Sequence, residues 1–338
     1  MAQPSVTVLM PVYNAERFLS EAIDSILNQT FADFEFLILD DGSTDSSVKI
    51  INSYCDQRIV LVQNETNLGI TASLNKGINL ARAGLIARMD ADDISYPDRL
   101  QKQYTYLNEH PDCALVSTLA RVITEDKQTV YIDKTDSNYF YYNLTFCSPI
   151  YHPSVMYRKT AVQDVGMYTV PYSEDFELFW LLSRRYKIYN LPEVLLDYRN
   201  NPQSLHQVTK RKEYTEAAFQ QTTRNLRFYA GENYSIAKDY VNCFQYDIEP
   251  LLKQRKIGRI VKCFRELEFI TERIIGTENV NRDIKNIRKA ALYKRRFTLT
   301  LILKQLPRSK SALLLLRLWE LSMLLNHVKY FLKRKIRF

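Results

Sequence analysis

Glycine is scarce in this chain, 8 residues in 338. Neither glycine-rich phosphate signature occurs: there is no G-x-G-x-x-G and no G-x-x-x-x-G-K-[ST]. Hydride transfer on a dinucleotide and P-loop phosphoryl transfer are therefore not indicated. Each glycine that stands in a loop is expected to answer a backbone need. Cysteine is sparse too. Cys55, Cys113, Cys147, Cys243 and Cys263 are odd in number, widely spaced and without a C-x-x-C. That pattern argues against a disulfide framework or a structural zinc site and fits a reducing cytosol. No stretch of 18 apolar residues is free of charge, so no transmembrane helix is expected. Val6 to Met10 is too short for the apolar core of a signal peptide. Acidic residues are nearly absent from the last quarter: residues 251–338 hold 6 Asp+Glu against 23 Lys+Arg. Residues 1–200 are the reverse, with 26 against 17, so the two parts are expected to do different jobs.

What is present is an ordinary globular composition, 46% hydrophobic and 25% charged, enough for one large domain and an appendage. The first 90 residues alternate short apolar runs with helical spacing. Val6–Met10, Phe34–Leu39, Ile59–Val62 and Leu85–Met89 read as buried strands. Between them, Phe18, Leu19, Ala22, Ile23, Ile26 and Leu27 follow a helical period, with Asn14 as candidate N-cap. Further helices are expected from Ser43–Asp45 to about Tyr54 and over Ile70–Ala81. This alternation predicts an α/β fold with a mostly parallel sheet flanked by helices. Later segments predict a helix from Pro97 to Asn108, strands within 114–132 and 154–157, a helix over 174–184 and an extended 188–198 interrupted at Pro192. From about Val208 the chain turns helical, polar and then basic. We place one α/β domain at 1–205 and a helical, basic C-terminal region at 206–338.

In an open parallel sheet, ligands bind outside the carboxyl ends of the strands. Three strands here end in polar clusters: Pro11-Val12-Tyr13-Asn14, Asp40-Asp41-Gly42-Ser43 and Asp90-Ala91-Asp92-Asp93. The last packs three carboxylates into four residues. Side by side they repel unless a cation compensates, and hard oxygen ligands suit Mg²⁺ or Mn²⁺. The same residues would also make a solvated acidic turn. Asp41 could accept the imide N–H of a uracil ring and Tyr13 could stack on its face. Asp-Gly-Ser is equally ordinary turn chemistry.

Taken together, the segments VTVLMPVYNAERFL, SILNQTF, FLILDDGSTDSS, NLGITASLNKGI, ARMDADDISYPDRL, YHPSVMYR and SEDFELFWLL resemble the family 2 glycosyltransferases, over about residues 5–200. The resemblance implies the GT-A fold, a Rossmann-like domain with a mixed sheet. It also implies metal-dependent, inverting transfer from a UDP-sugar or another nucleotide diphosphate sugar. By position it implies that Pro11, Tyr13 and Asp41 hold the base, with Asn14 also in the nucleotide and donor site. Asn67, Gly69 and Asn75 would line the nucleotide and sugar pocket. Asp90 would meet the ribose or donor sugar, and Asp92 would be the principal metal ligand with Asp93 beside it. Arg99 would buttress that loop or touch the donor. An inverting transfer needs a carboxylate opposite the leaving diphosphate, and the resemblance puts it at Asp175, with Glu174 shaping the donor pocket. Without the resemblance, both would read as acidic residues complementing a helix N-terminus. His152 and Trp180 are acceptor-site candidates, each with an alternative as a buried structural side chain. The Q-x-x-R-W motif of processive members does not occur, so single additions are expected.

Residues 311–338 place Leu, Trp, Met, Val and Phe on a broad apolar face and end in Lys333-Arg334-Lys335-Ile336-Arg337. A helix of this kind either lies in an anionic membrane surface or packs on the catalytic domain. The first reading implies a lipid-linked or glycan acceptor, a surface-polysaccharide pathway such as lipopolysaccharide, O-antigen or capsule, and a place at the inner face of the cytoplasmic membrane. A nucleic-acid partner is not expected, because the acidic first half opposes it and no recognition motif occurs. A nucleotidyltransferase would show a Gly- and Lys/Arg-rich loop after the first strand, where this chain has Pro11-Val12-Tyr13-Asn14.

Overall fold

A computed structural model describes residues 3–200, 210–254 and 256–319. The expected boundary near 205 and the end of the basic tail, from residue 320, lie outside the described residues. The chain divides into two compact units. The first runs to Ala218 and takes in Asn279–Asn281; the second begins at Phe219.

The first unit opens with β1 (Val6–Val12), α1 (Leu19–Leu27), β2 (Phe34–Asp40), α2 (Ser47–Asn52), β3 (Ile59–Gln63), α3 (Ile70–Leu80) and β4 (Leu85–Arg88). These four strands are parallel neighbours in the order β3-β2-β1-β4. All seven residues of β1 and of β2 are buried, because helices cover both faces. Val6, Val8, Met10 and Val12 pack with α1, while Leu9 and Leu37 face Leu74 and Ile78 of α3. A side-chain period of two on a strand sorts these sets to opposite faces.

The sheet continues through β5 (Ile94–Ser95), α4 (Arg99–Glu109), β6 (Cys113–Ile123), β7 (Thr129–Ile132), α5 (Phe140–Asn143), β8 (Met156–Arg158), α6 (Lys159–Asp164), α7 (Glu174–Arg185) and β9 (Lys187–Arg199). Beyond β4 the order is β8-β6-β9-β5, with β7 on β6. Here antiparallel pairs enter, β4 with β8 and β9 with β5, so the sheet is mixed. β9 runs parallel to β6, and its register jumps from Leu191 to Val194. That jump is the interruption expected at Pro192, which has no N–H to give the ladder.

Two sequence expectations are corrected. Asn14 does not cap α1: the helix starts at Leu19, its N-cap is Phe18, and no side chain caps it. The apolar spacing of the helix predicted over 174–184 puts its buried side at Leu178, Leu181 and Leu182; the buried side is instead at Leu178, Phe179 and Leu182, and Leu181 is half-buried.

The second unit is helical among the described residues. It holds most of α8 (Arg211–Ala230), then α9 (Lys238–Phe244), α10 (Glu249–Lys253), α11 (Ile257–Gly276), α12 (Ile284–Gln305) and α13 (Arg308–Arg317). No helix of the described residues is long and apolar enough to cross a membrane.

Candidate active site

Because β1, β2 and β4 are parallel, the chain leaves all three at one edge of the sheet. Val12 lies opposite Asp40 in the ladder, the Asp41 N–H donates to the Val12 carbonyl (2.8 Å), and the Met89 N–H donates to the Leu9 carbonyl (3.0 Å). The three polar clusters thus share a rim.

At the first part of the rim, Asp41 is buried and organises a loop. One carboxylate oxygen accepts from Asn64 Nδ2 (2.7 Å) and the Leu68 N–H (3.0 Å), the other from the Gly69 N–H (2.9 Å). Gly69 has φ +87° and precedes α3, a conformation that favours glycine. Gly42, at φ +75°, lies under the same loop, where a Cβ would meet the Thr66 carbonyl carbon at 2.8 Å. Asn14, at φ +49°, ties β1 to this loop: its N–H donates to Ser43 Oγ (3.0 Å) and its Oδ1 accepts from the Thr44 N–H (2.8 Å). Tyr13 is 45% exposed and offers an open ring face. Asn67 is exposed at the tip of the loop. Pro11 is buried near the carboxyl end of β1.

Asp90, Asp92 and Asp93 form the second part. One carboxylate oxygen from each lies within 4.8 Å of the others. Burial, then the neighbouring Asp90 charge, raises Asp92 to about 6. Burial and both neighbours push Asp93 well above the usual carboxylate range. Asp93 Oδ2 is buried with no hydrogen-bond donor. Three hard oxygens, held together at an electrostatic cost and with one lacking a donor, fit a divalent cation. Two arginines hold the loop. Arg88, buried at the end of β4, pairs with Asp90. Arg199, buried at the end of β9, donates from its backbone N–H to Asp93 Oδ1 (2.7 Å) and from Nε to the Asp92 carbonyl (2.8 Å). Arg99 has no exposed surface; it donates to the Arg88 carbonyl (2.6 Å) and to Gln103 Oε1 (3.2 Å). It buttresses the loop from behind, and direct contact with a ligand is excluded by its burial.

Across the rim, Ser173 takes a left-handed φ of +54° and turns the chain into α7. Glu174 and Asp175 open that helix. Burial, then the Asp175 charge, raises Glu174 to about 8, so it carries its proton at neutral pH. Asp175 is half-buried. Burial raises it as well, while the Phe176 N–H and the Arg88 charge hold it down. The charge of Asp90 reaches both residues, so helix and acidic loop face each other. His152 is buried between Tyr168 Oη, 2.7 Å from Nε2, and Glu174 Oε1, 3.8 Å from Nδ1. Burial and the Arg88 charge depress its pKa well below the ordinary value, so the imidazole is neutral. Asn75 brackets Tyr168, donating to its carbonyl (2.8 Å) and accepting from its N–H (3.1 Å). Its amide supports the loop behind His152. Trp180 is buried in the core with Phe176 and Phe179, which corrects its candidacy for the acceptor site.

The structure therefore brings Tyr13, Asn14, Asp41, Asn67 and Gly69 to one part of the rim. Asp90, Asp92 and Asp93 face Glu174, Asp175 and His152 at another. The sequence does not single out Arg88, nor Arg199, Asn64 and Tyr168, the last three of which act through partners distant in the chain. Nor does it single out Tyr214, whose ring packs on Tyr172 (5.1 Å) and whose hydroxyl is raised by burial and by the Glu174 and Asp175 charges. An arginine two residues before the acidic cluster, in an otherwise apolar strand, was the available signal for Arg88.

A strand-end rim with a three-carboxylate loop and a facing helix-borne carboxylate is the layout of an α/β transferase. Residues 7–166 match the description Glycosyl transferase family 2. An uncharacterized glycosyltransferase, MJ1057 of Methanocaldococcus jannaschii, is 34% identical over 69% of this chain and 84% of its own. The O-antigen biosynthesis glycosyltransferase WbnJ of Escherichia coli is 30% identical over 76% of this chain and 93% of its own. Among solved structures, S. aureus TarS with UDP-GlcNAc superposes with a TM-score of 0.56 at 16% identity, covering 87% of this chain and 92% of that one. The mannosyltransferase PcManGT of Pyrobaculum calidifontis, with GDP-Man and Mn2+, gives 0.51 at 17% identity, covering 88% and 84%. At these identities the structural likeness is one of fold, and that fold is GT-A. The chain belongs to the family 2 glycosyltransferases.

Proposed function

We propose that the protein is a metal-dependent, inverting glycosyltransferase that moves one sugar at a time from a UDP-sugar to a hydroxyl of a glycan or lipid-linked saccharide. The observation that carries this reading is the three-carboxylate loop paired to Arg88, whose charge and that of Asp90 are both felt at Glu174 and Asp175. Asp92 and Asp93, with Asp90 beside them, would hold Mn²⁺ or Mg²⁺. Such an ion supplies charge neutralisation at the donor diphosphate. Asp41 accepts the imide proton of the uracil ring while keeping its grip on the 68–69 loop, and Tyr13 stacks on the base. Asp175 takes the proton from the acceptor hydroxyl as it attacks. Burial raises its pKa, which makes the carboxylate a stronger proton acceptor. Protonated Glu174 spares Asp175 a second adjacent negative charge, and neutral His152 lies beside it at 3.8 Å. Tyr172 and Tyr214 offer aromatic surface beside the base for an acceptor sugar.

The UDP-GlcNAc bound by TarS supports a nucleotide-sugar donor. The Mn2+ of PcManGT supports a divalent ion. The O-antigen role named for WbnJ supports a surface-polysaccharide pathway. We place the enzyme at the inner face of the cytoplasmic membrane, held by its basic C-terminal region with 311–338 as anchor. The support for this is the excess of 23 Lys+Arg over 6 Asp+Glu beyond residue 250. Calorimetry with UDP, Mn²⁺ and GDP-mannose as competitor tests the donor site. Mn²⁺-dependent UDP binding that Asp92→Ala abolishes is expected. Equal UDP binding by wild type and variant, with or without Mn²⁺, would remove the metal role.

A further inference from the structure

In the second unit, α12 buries Ile287, Ala290, Lys294, Thr298, Leu299 and Ile302. Its opposite face is built of two kinds of residue at helical spacing. Lys285, Arg288, Lys289, Arg296 and Lys304 are exposed, and none has a carboxylate at ion-pair distance among the described residues. Between them stand Leu292, Tyr293 and Phe297, 43–59% exposed, with the Tyr293 and Phe297 rings stacked at 6.1 Å. A 22-residue helix offers such a stripe over roughly 33 Å. Arg295, on its flank, pairs with Glu268 of α11 and donates to the Leu318 carbonyl (3.3 Å). That bond sets Trp319, 82% exposed, beside the same helix. The chain carries no acidic residue from 284 to 319, while ten lysines and arginines fall in that stretch.

We propose that the exposed face of α12, with Trp319 at its edge, lies against an anionic phospholipid membrane. The proposal rests on the reading that the enzyme works at a membrane, and moves the principal contact from the tail to α12. Cations interleaved with Leu, Tyr and Phe match a bilayer interface, where rings and aliphatic chains enter the headgroup layer and Lys and Arg reach lipid phosphates. A second copy of this chain would set cations on cations. A nucleic acid would meet the cations but leave Leu292 without a partner.

Flotation of the full chain with phosphatidylcholine vesicles, with and without one-third phosphatidylglycerol, tests this. Three variants of the full chain are compared, after their thermal unfolding is checked against wild type. One is Leu292→Ser, Tyr293→Ser and Phe297→Ser together. One is Arg288→Glu, Lys289→Glu and Arg296→Glu together. One is Lys333→Glu, Arg334→Glu and Lys335→Glu together, in the tail. The wild type is expected to float only with the anionic vesicles, and each α12 variant to partition about tenfold less or weaker still. The tail variant should lose less than either. If the α12 variants float as wild type and the tail variant does not, the membrane reading stands and the α12 assignment is overturned. A wild type that floats with neither vesicle overturns both. Binding of the wild type to a single-stranded oligonucleotide in place of the vesicles, abolished by the charge variant, would also overturn the lipid assignment.

Discussion

The backbone N–H of Arg199 donates to Asp93 Oδ1 at 2.7 Å, linking the end of the last strand to the acidic loop 106 residues earlier. The Arg199 side chain completes the brace. Nε reaches the Asp92 carbonyl (2.8 Å), Nη1 the Glu125 carbonyl (2.8 Å) and Nη2 the Glu21 carboxylate (3.2 Å). The guanidinium also lies over the Phe18 ring, 4.2 Å from its centroid. One buried side chain thus fixes the main chain of the loop to α1 and to the β6–β7 turn.

Arg199→Lys keeps the charge but not the planar fork. The loop should then hold a cation less well. We expect Mn²⁺ affinity in the presence of UDP to fall ~10-fold or more, as for other residues that orient ligands from behind. Calorimetry gives the comparison, and an unchanged Mn²⁺ dissociation constant would show that the brace does not position the ligands.

Gly42→Ala combines a φ of +75° with a Cβ 2.8 Å from the Thr66 backbone. The conformation alone costs on the order of 1–3 kcal/mol, and backbone cannot swing aside as a side chain would. Urea unfolding should show a loss in that range together with weaker UDP binding, because the 66–69 loop that Asp41 anchors must shift. A variant as stable as wild type would mean the loop is free to move.

Glu174 gives a pH dependence of stability. Its folded pKa, about 8, lies above the ordinary 4.5. A raised carboxyl favours the folded state while protonated. That contribution is complete below about pH 4.5 and is lost as pH rises through about 8. Glu174→Gln should remove it, so the stability of wild type relative to the variant should fall by ~2–4 kcal/mol between pH 5 and 9. His152 acts in the other direction, losing stability as pH falls because a neutral buried imidazole must charge, and it is common to both proteins. Parallel pH profiles of the two melting temperatures would contradict the buried, protonated Glu174.

Asn75→Ala removes both hydrogen bonds to the Tyr168 backbone. A loss of about 1–3 kcal/mol in urea unfolding is expected, with the buried Tyr168 amide and carbonyl left unmatched. A loss of UDP binding with unchanged stability would instead return Asn75 to the donor pocket.

The strands and their carboxyl-end clusters were legible because β1, β2 and β4 are buried on both faces and read as mainly apolar runs that give way to Tyr13, Asp40 and Asp90. Helical period similarly located α1, α3 and α7. What one chain cannot display is pairing over distance. Arg199 meets Asp93, Asn64 meets Asp41, and Asn75 meets Tyr168 across 93 residues, and no local period marks them. Asn14 shows the same limit from the other side. It has the chemistry of a cap, but its left-handed backbone turns the side chain to Thr44. For Arg99 and Trp180 the sequence left a supporting and a ligand-facing reading open, because a polar or large side chain reads the same in sequence whether it lines a site or supports one. The proposal of Asp175 as base comes from the family resemblance; its helix-start position alone is also ordinary dipole chemistry.

The central claim is that Asp175 is the base and the Asp90–Asp93 loop is not. Asp175→Asn, isosteric and unable to accept the proton, tests it through release of UDP from UDP-N-acetylglucosamine, UDP-galactose and UDP-glucose with Mn²⁺ and a lipid-linked saccharide extract as acceptor. The account predicts that the variant binds UDP and Mn²⁺ as the wild type does while acceptor-dependent release falls ~10²–10⁴-fold. Wild-type release by Asp175→Asn would contradict it.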